Sequence, residues 1–414
     1  MSSNAPYRQV THCRVCNAVE LDQILSLGAT PLANAFLRPD HQGAPEISYP
    51  LEVLRCRSCG LVQLSAVVRP DILFADYLYA SSASPPLLAH FQELAEELVS
   101  RYASPGSLVV EFGSNDGILL RPLKDRRVRA LGVEPARNLA AMANEAGLET
   151  LNSYFSGEVA RQIRDERGLA SIIVGNNVLA HVDGLRDLAR AVEHLLAPDG
   201  VFVAEVPYLS DLLEHVEYDT IYHEHLSYFH LLPLKRLLGE VGMELFDVTR
   251  LELHGGSIRI YAGRRGTRTP TAALRTLFES EARLDDMRLY ADFSRRVEES
   301  RHALRETLEH LRGDSRTIAA LGATAKGNTL LNYCAIGPET VIFVADSTPM
   351  KQGLLTPGMH ISVKSERALY EEKPDYVLLL AWNYAEALVR RHAEYLAQGG
   401  RFIHPIPLAR LVPA

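Results

Sequence analysis

The chain predicts an α/β protein of three parts: a small metal-stapled lobe followed by two doubly wound α/β domains. Three observations carry this reading. Two CxxC knuckles, Cys13/Cys16 and Cys56/Cys59, open the chain. Two separate stretches, 107–117 and 317–329, each run from a buried-strand pattern through a glycine loop into a helix. Between them lies 272–312, charged and helical throughout. With 414 residues, 47% hydrophobic and 23% charged, there is material for more than one buried core. A formal net charge of −8 argues against nucleic acid as the main partner, because phosphate backbones need a basic face. No apolar run approaches the ~20 residues of a membrane span. Met1 to Val10 lacks the apolar core of a signal peptide. The expectation is a cytoplasmic protein with no membrane partner, for which a monomer suffices.

The first part spans 1–75. A CxxC knuckle lets two thiolates reach one ion from a single tight turn, and two knuckles complete a tetrahedral zinc site. Four thiolates fill the coordination sphere, so Cys13, Cys16, Cys56 and Cys59 predict a structural zinc with no open position. The 39 residues between the pairs exceed zinc-ribbon spacing, which implies a small elaborated lobe. A thiol redox pair would explain one knuckle but not two. Cys334 has no sequence partner and reads as a core residue. Leu27 to Leu37 reads as a loop of turn residues and exposed apolars. After the second knuckle, Tyr77, Tyr79, Ser81 and Ser82 form a polar aromatic cluster. It is either a domain edge or a rim overhanging a ligand in the next domain.

The second part spans 76–270. A helical pattern over Phe91–Tyr102 precedes a strand over 107–112, the loop Gly113-Ser114-Asn115-Asp116-Gly117 and a helix start. A second strand, 130–135, carries Glu134, 23 residues after Glu111, where such folds place an acid for ribose hydroxyls. A dinucleotide fingerprint is G-x-G-x-x-G. Here the pattern is E-x-G-x-x-x-G, with Asn115 where a middle glycine would stand. It resembles motif I of S-adenosylmethionine-dependent methyltransferases, whose cofactor has no pyrophosphate and tolerates one glycine fewer. An NAD-binding domain is the alternative. A third strand, 171–174, runs into Gly175-Asn176-Asn177 and on to His181, the position at which methyltransferases line the adenine and methyl-donor pocket. A fourth strand covers 200–207. The cofactor-binding candidates are therefore Glu111, Gly113, Asn115, Gly117, Glu134, Asn176 and Asn177.

Beyond that strand, Tyr222-His223-Glu224-His225-Leu226-Ser227-Tyr228 packs two imidazoles, a carboxylate and two phenols into one segment. That density points to proton transfer, to a metal site, or to solvated side chains on a loop. An extended segment would put Glu224 on one face and His223 and His225 on the other. A helix over Leu234–Val241 follows. Then 253–261, entered through the pair Gly255-Gly256, reads as a late strand with a structural histidine at its mouth.

The stretch 271–312 predicts one or two bridging helices, with apolar residues recurring from Leu274 to Leu308. The last part, 313–414, again runs from strand to glycine loop to helix at Gly322-Ala323-Thr324-Ala325-Lys326-Gly327-Asn328. Backbone amides at that helix start, with Lys326, make an anion site. It is not a P-loop, because the G-K-[ST] order is absent. The chain's single tryptophan, Trp382, follows a strand at 375–380, where open sheets bind ligands. The other reading is a degenerate repeat kept for packing.

The paired knuckles, the methyltransferase core, Tyr-His-Glu-His-Leu, His-Gly-Gly-Ser-Ile-Arg and Gly-Ala-Thr-Ala-Lys-Gly-Asn occur in that order over nearly the whole chain. The combination resembles the sugar C-3'-methyltransferases of bacterial deoxysugar biosynthesis, of the tetronitrose-pathway type. The resemblance implies a zinc-binding lobe, a Rossmann-like methyltransferase domain and a second Rossmann-like domain. It implies S-adenosylmethionine, a structural zinc, and a dTDP-linked 4-keto-deoxysugar whose nucleotide lies against the C-terminal domain. Gly322, Lys326, Asn328, Lys351, Trp382 and Asn383 are then the substrate-binding candidates. A C–H beside a ketone needs a base, a donor to the enolate oxygen and an aligned methyl sulfonium. The implied base is His225 and the donor Tyr222. Glu224 would orient an imidazole or hold the sugar's 3'-substituent, with His181 and Tyr79 bordering the sugar. A zinc hydrolase using His223, Glu224 and His225, an NAD(P)-dependent sugar oxidoreductase and a zinc-stapled nucleotide sensor are the competing readings.

Overall fold

The computed structural model describes residues 5–41, 43, 45–73, 81–83 and 85–412. The N-terminal lobe holds β1 (Tyr7–Gln9), β2 (Leu21–Thr30), β3 (Tyr49–Cys56), β4 (Val62–Leu64) and β5 (Ala66–Val68). β2, β3 and β4 form an antiparallel meander, and β1 pairs with β5 beside it. The stretch expected as a loop from Leu27 is strand as far as Thr30. A bulge lies between Ser26 and Ala29, where Gly28 takes a φ of +82°. A bulge breaks the two-residue alternation by which a strand is read from sequence. Leu32 and Ala33 beyond it are buried, not exposed.

The middle domain contributes β6 (Leu108–Phe112), β7 (Arg129–Val133), β8 (Thr150–Leu151), β9 (Ala170–Asn176), β10 (Leu196–Pro207), β11 (Ser227–Tyr228), β12 (Met243–Leu251) and β13 (Ser257–Arg264). Its sheet runs β8-β7-β6-β9-β10-β13-β12. The five strands from β8 to β10 are parallel, while β13 is reversed between β10 and β12. A dinucleotide sheet runs 3-2-1-4-5-6 in parallel, so the inserted reversed strand separates this domain from that class. Val109, Ile172, Val174, Val201 and Val203 pack on one face under the helix Pro85–Tyr102. Val110, Phe112, Ile173, Phe202 and Ala204 pack on the other. A sheet covered on both faces explains why its strands read as unbroken apolar runs.

β11 leaves this domain and pairs with β4, becoming the fourth strand of the N-terminal sheet. The glycine pair before β13 is steric. Gly255 and Gly256 have φ of +99° and +139°, and a Cβ on Gly256 would overlap the Asp211 side chain.

The linker forms two helices, Ala272–Ser280 and Met287–Gly313, separated by a 3-10 turn over Glu281–Asp285. Asp286 caps the second by accepting from the Arg288 amide, a contribution of about 1 kcal/mol. Tyr290, Phe293, Val297, Ser300, Leu304 and Leu308 form its buried stripe, at the three-to-four spacing of one helix face. The stripe shares a core with β3 and β4 of the N-terminal lobe and with the C-terminal strands.

The C-terminal domain holds β14 (Ile318–Leu321), β15 (Val344–Ala345), β16 (Val363–Lys364), β17 (Tyr376–Leu379), β18 (Arg401–His404) and β19 (Arg410–Leu411). The order β16-β15-β14-β17-β18-β19 is 3-2-1-4-5-6, parallel up to a reversed β19. Its strand order reverses between β14 and β17, so the ligand crevice of such a sheet lies beyond their carboxyl ends. Among the described residues, no helix is long and apolar enough to cross a membrane.

Candidate active site

The four cysteines of the knuckles converge. Their Sγ atoms all lie within 4.8 Å of one another, with Cys13–Cys59 and Cys16–Cys56 at 3.5 Å. A tetrahedron of ~2.3 Å zinc–sulfur bonds has edges of about 3.8 Å, so the cage fits zinc. Each knuckle is closed by a backbone bond, Asn17 N–H to Cys13 C=O and Gly60 N–H to Cys56 C=O. The Cys13 thiol is pulled down to about 5 by the Cys59 thiol against it, while burial pushes Cys56 up to about 11. One thiolate suppresses its neighbours, and a divalent cation lets all four ionise. The site is structural: four thiolates fill a tetrahedron, and Cys13, Cys56 and Cys59 are buried in one core with Phe229 and Leu231 of the middle domain. Among the described residues these four are the one group of three or more His, Cys, Asp and Glu whose ligand atoms converge. The hydrolase reading through His223, Glu224 and His225 therefore has no ligand set.

The carboxyl ends of β6, β7 and β9 form a cradle. Gly113 has a φ of +65°, and a Cβ there would overlap the Val178 side chain. Gly117, at +80°, would bring a Cβ to 2.5 Å from Leu148. Asn115 is left-handed at +52°, which explains how asparagine stands where a glycine was expected: its short amide tolerates that region better than other side chains do. Its Oδ1 accepts from the amides of Ser81 and Asp116. Glu134 accepts from the amide of Asn115 at 2.8 Å through one oxygen and from that of Ala136 at 2.8 Å through the other. Burial raises its pKa, and these two amides oppose the rise. Glu111 is fully buried and pushed well up, by desolvation first and by Glu134 and Asp116 next. Glu111 Oε2, Ser114 Oγ, Asp116 Oδ1, both amide atoms of Asn176 and Asn177 Oδ1 are buried with no hydrogen-bond partner among the described residues. Clustered at the carboxyl ends of one sheet, these atoms are what a bound ligand would pair. The cradle thus fits a cofactor carrying hydroxyl and amino groups.

The Tyr222–Tyr228 segment is docked onto this cradle. It is not extended: the His225 amide bonds to the Tyr222 carbonyl in a turn. The alternation expected of it therefore fails, and the two histidines part. His223 donates to Tyr49 C=O at 3.2 Å and packs on that ring, with burial holding it down to about 4. It is a packing residue of the N-terminal lobe. His225 turns to the other side, edge-on to His181 with ring centres 5.0 Å apart. Its Nδ1 lies 2.8 Å from Thr220 C=O, which only accepts, so Nδ1 carries a proton, and in the neutral ring the lone pair is on Nε2. Tyr222 Oη donates to that Nε2 at 2.8 Å. Desolvation holds His181 down to about 4, so it is neutral at neutral pH. Glu224 accepts from Asn34 Nδ2 at 2.6 Å. Tyr79 lies outside the described residues.

In the C-terminal domain, Gly322 has a φ of +97° and a Cβ there would meet that of Ala381 at 2.8 Å, so the loops after β14 and β17 touch. The Lys326 ammonium stands 5.3 Å above the Trp382 ring and 3.6 Å from Glu217. Trp382 Nε1–H donates to Asp219 at 2.6 Å. Asn328 donates to Ala33 C=O at 2.7 Å and Lys351 to Ala323 C=O at 2.8 Å. These two therefore tie backbone together. Asn383 follows Trp382 in a half-buried 3-10 turn. The domain also repeats the carboxylate latch of the middle domain: Asp346 accepts from Ala323 and Thr348 amides at 2.7 Å each, as Glu134 does from Asn115 and Ala136.

Sequence reading missed Asn34, Thr220 and Asp219, whose roles depend on contacts 5 to 190 residues away. It also missed the buried network in which His90 and Arg259 hold Glu205. A cavity of about 600 Å³ between the N-terminal lobe and the C-terminal domain, lined by Glu46, Glu298, Arg301 and Tyr333, contains none of the predicted site residues.

Three family models match in tandem: a zinc binding domain over 13–74, a methyltransferase domain over 87–248 and a C-methyltransferase C-terminal domain over 252–407. The chain is 39% identical over 411 residues to C-methyltransferase NovU of Streptomyces niveus, covering 98% of both chains. Among solved structures, magnesium protoporphyrin IX methyltransferase ChlM from Synechocystis PCC 6803, with bound SAM, matches at 15% identity and a TM-score of 0.34, over 43% of this chain and 79% of that one. The CcbJ methyltransferase from Streptomyces caelestis matches at 15% and 0.35, over 45% and 99%. With a tandem of zinc, methyltransferase and C-methyltransferase domains aligned end to end with a relative of that activity, the chain belongs to the S-adenosylmethionine-dependent C-methyltransferase family.

Proposed function

We propose that the enzyme methylates carbon C-3' of a dTDP-linked 4-keto-deoxysugar, with His225 as the base and Tyr222 as the donor to the enolate. The observation that carries this is the tautomer of His225. Its Nδ1–H is committed to Thr220 C=O, which leaves Nε2 as the basic atom, with the Tyr222 hydroxyl 2.8 Å away. A neutral imidazole with a fixed lone pair suits abstraction of a proton made acidic by a neighbouring ketone. As Nε2 takes the C-3' proton, the C–H electron pair moves into the enolate and charge collects on the C-4' oxygen. Tyr222 then turns its O–H from Nε2 to that oxygen, as an oxyanion donor. The sulfonium of S-adenosylmethionine, when bound, supplies the methyl group that C-3' accepts. Glu111, Asn115, Glu134, Asn176 and Asn177 hold the cofactor, with Gly113 and Gly117 leaving room for its approach. Neutral His181 borders the sugar beside His225 and adds no competing charge.

Glu224, held by Asn34, faces the sugar's 3'-substituent or steadies the turn. Gly322, Lys326 and Asn383 on the C-terminal crevice receive the nucleotide diphosphate, while Asn328, Lys351 and Trp382 hold the loops that form it. The reading is tested by incubating the zinc-loaded enzyme with S-adenosylmethionine and a panel of dTDP-4-keto-sugars. A gain of one methyl by mass spectrometry, with solvent deuterium entering C-3' when the cofactor is omitted, is expected. Methyl gain on oxygen or nitrogen, without exchange at C-3', would refute it.

A further inference from the structure

The 3-10 turn Tyr218–Thr220 belongs in sequence to the middle domain, but its side chains are fastened to the C-terminal domain. Lys326 reaches Glu217 just before it, at 3.6 Å. Tyr218 is fully buried, with its ring 5.3 Å from that of Tyr333 and its hydroxyl 3.5 Å from Cys334 Sγ. Asp219 is fully buried too. Its Oδ2 accepts the Trp382 indole N–H at 2.6 Å, and its Oδ1 has no hydrogen-bond partner among the described residues. The next residue, Thr220, supplies the carbonyl that holds His225 Nδ1–H at 2.8 Å. The tautomer and aim of the imidazole thus depend on where this turn sits, and the turn sits where the crevice of the C-terminal sheet holds it.

We propose that Trp382 and Asp219 are positioning residues for the base: the indole–carboxylate bond across the domain boundary sets the Thr220 carbonyl that orients His225. This gives the second Rossmann-like domain a part in the chemistry beyond receiving a nucleotide. It rests on the assignment of His225 as the base. A single charge-assisted bond between buried partners holds its geometry tightly, and a misplacement near 1 Å at a reacting group costs about a hundredfold in rate.

The test uses the full-length zinc-loaded enzyme with S-adenosylmethionine and a dTDP-4-keto-sugar that it methylates. Trp382→Phe keeps the ring and removes the donor. Asp219→Ala removes the acceptor, and Asp219→Asn restores an acceptor oxygen without the charge. The expected result is a fall in kcat of about tenfold to a hundredfold for Trp382→Phe and Asp219→Ala, with KM for S-adenosylmethionine unchanged. Asp219→Asn should recover most of the loss. Should Trp382→Phe not fold, the Asp219 pair decides by the same criterion. Wild-type kcat in Asp219→Ala, or a loss confined to KM of the nucleotide sugar, overturns the positioning role. His225→Asn is run beside them: full turnover and C-3' exchange there would sink the base assignment itself. A dead His225→Asn with active Asp219→Ala sinks only the present inference.

Discussion

The amide of Leu226 donates to the carbonyl of Ala180 across 2.7 Å. Ala180 follows β9 at the carboxyl edge of the cofactor sheet, and Leu226 follows His225. One backbone bond therefore brings the Tyr222–His225 pair to the cradle of Glu111, Asn115 and Asn176. β11, just beyond, fastens the same segment to the N-terminal lobe through Ser227 and Gln63. The groups proposed to react lie on a strap tied to all three parts of the chain.

From this arrangement, His225→Asn should lower methyl transfer by about a hundredfold to ten-thousandfold, the usual worth of a positioned base. Solvent deuterium exchange at C-3' should fall with it. Tyr222→Phe should lower kcat while S-adenosylmethionine affinity by calorimetry stays within about twofold of wild type. Loss of cofactor affinity in Tyr222→Phe would show that the phenol serves the wrong ligand.

At the cradle, Gly113→Ala sets a methyl against Val178 and forces an alanine into the left-handed region. Overpacking and strain of about 1–3 kcal/mol should appear as weaker cofactor binding and a lower melting temperature. Val178→Ala in the same chain should recover the packing part. Asn115→Gly should fold normally, since glycine is at ease at the φ of +52°.

Zinc should measure one per chain. Replacing Cys59 by Ser should abolish it and unfold the lobe, because metal binding supplies about 10–16 kcal/mol in small four-ligand sites. Since β11 is part of that lobe's sheet, activity should be lost along with the metal. A zinc-free variant that keeps full turnover would contradict this coupling.

Asp219 gives a stability signature against pH. Burial pushes it up to about 6, with the Lys326 charge and the Trp382 N–H opposing. The native state therefore keeps a proton that the unfolded chain releases near 4. The stability this group contributes is full below about 4 and is lost as pH rises through about 6, a change of at most about 3 kcal/mol. Denaturant titrations of wild type and Asp219→Asn between pH 4 and 7 should converge at the acid end and separate above it. Parallel curves would show that the group titrates normally.

Asn34→Ala leaves Glu224 Oε1 without its 2.6 Å donor. Loss of one hydrogen bond to a charged group costs about 1.5–3 kcal/mol, to be read as a lower melting temperature. Asn34→Asp should do more harm, since it sets two carboxylates together. An unaffected Asn34→Asp would mean that Glu224 is solvated in solution.

Much of this was legible in the residues alone. The cysteine cage follows from knuckle spacing, because two residues between thiols fix both on one turn. The two sheets follow from unbroken apolar runs ending in glycine loops. β8 and β15, two residues each, are too short to leave a period, and β12 mixes Glu244, Asp247 and Arg250 with its apolar residues. The Tyr222–Tyr228 segment declared its chemistry by its residue types but not its shape. Alternation predicted that His223 and His225 share a face, whereas the turn sends one to Tyr49 and the other to His181. What the sequence by itself determined is local: which atoms can ligate, donate or accept, and at what spacing along the chain. What only the tertiary structure decided is which groups share a site: Thr220 fixing the tautomer, Asn34 holding Glu224, and Trp382 reaching Asp219 across a domain boundary. Those pairings join residues far apart in the chain, and only packing the cores together brings them within hydrogen-bond range.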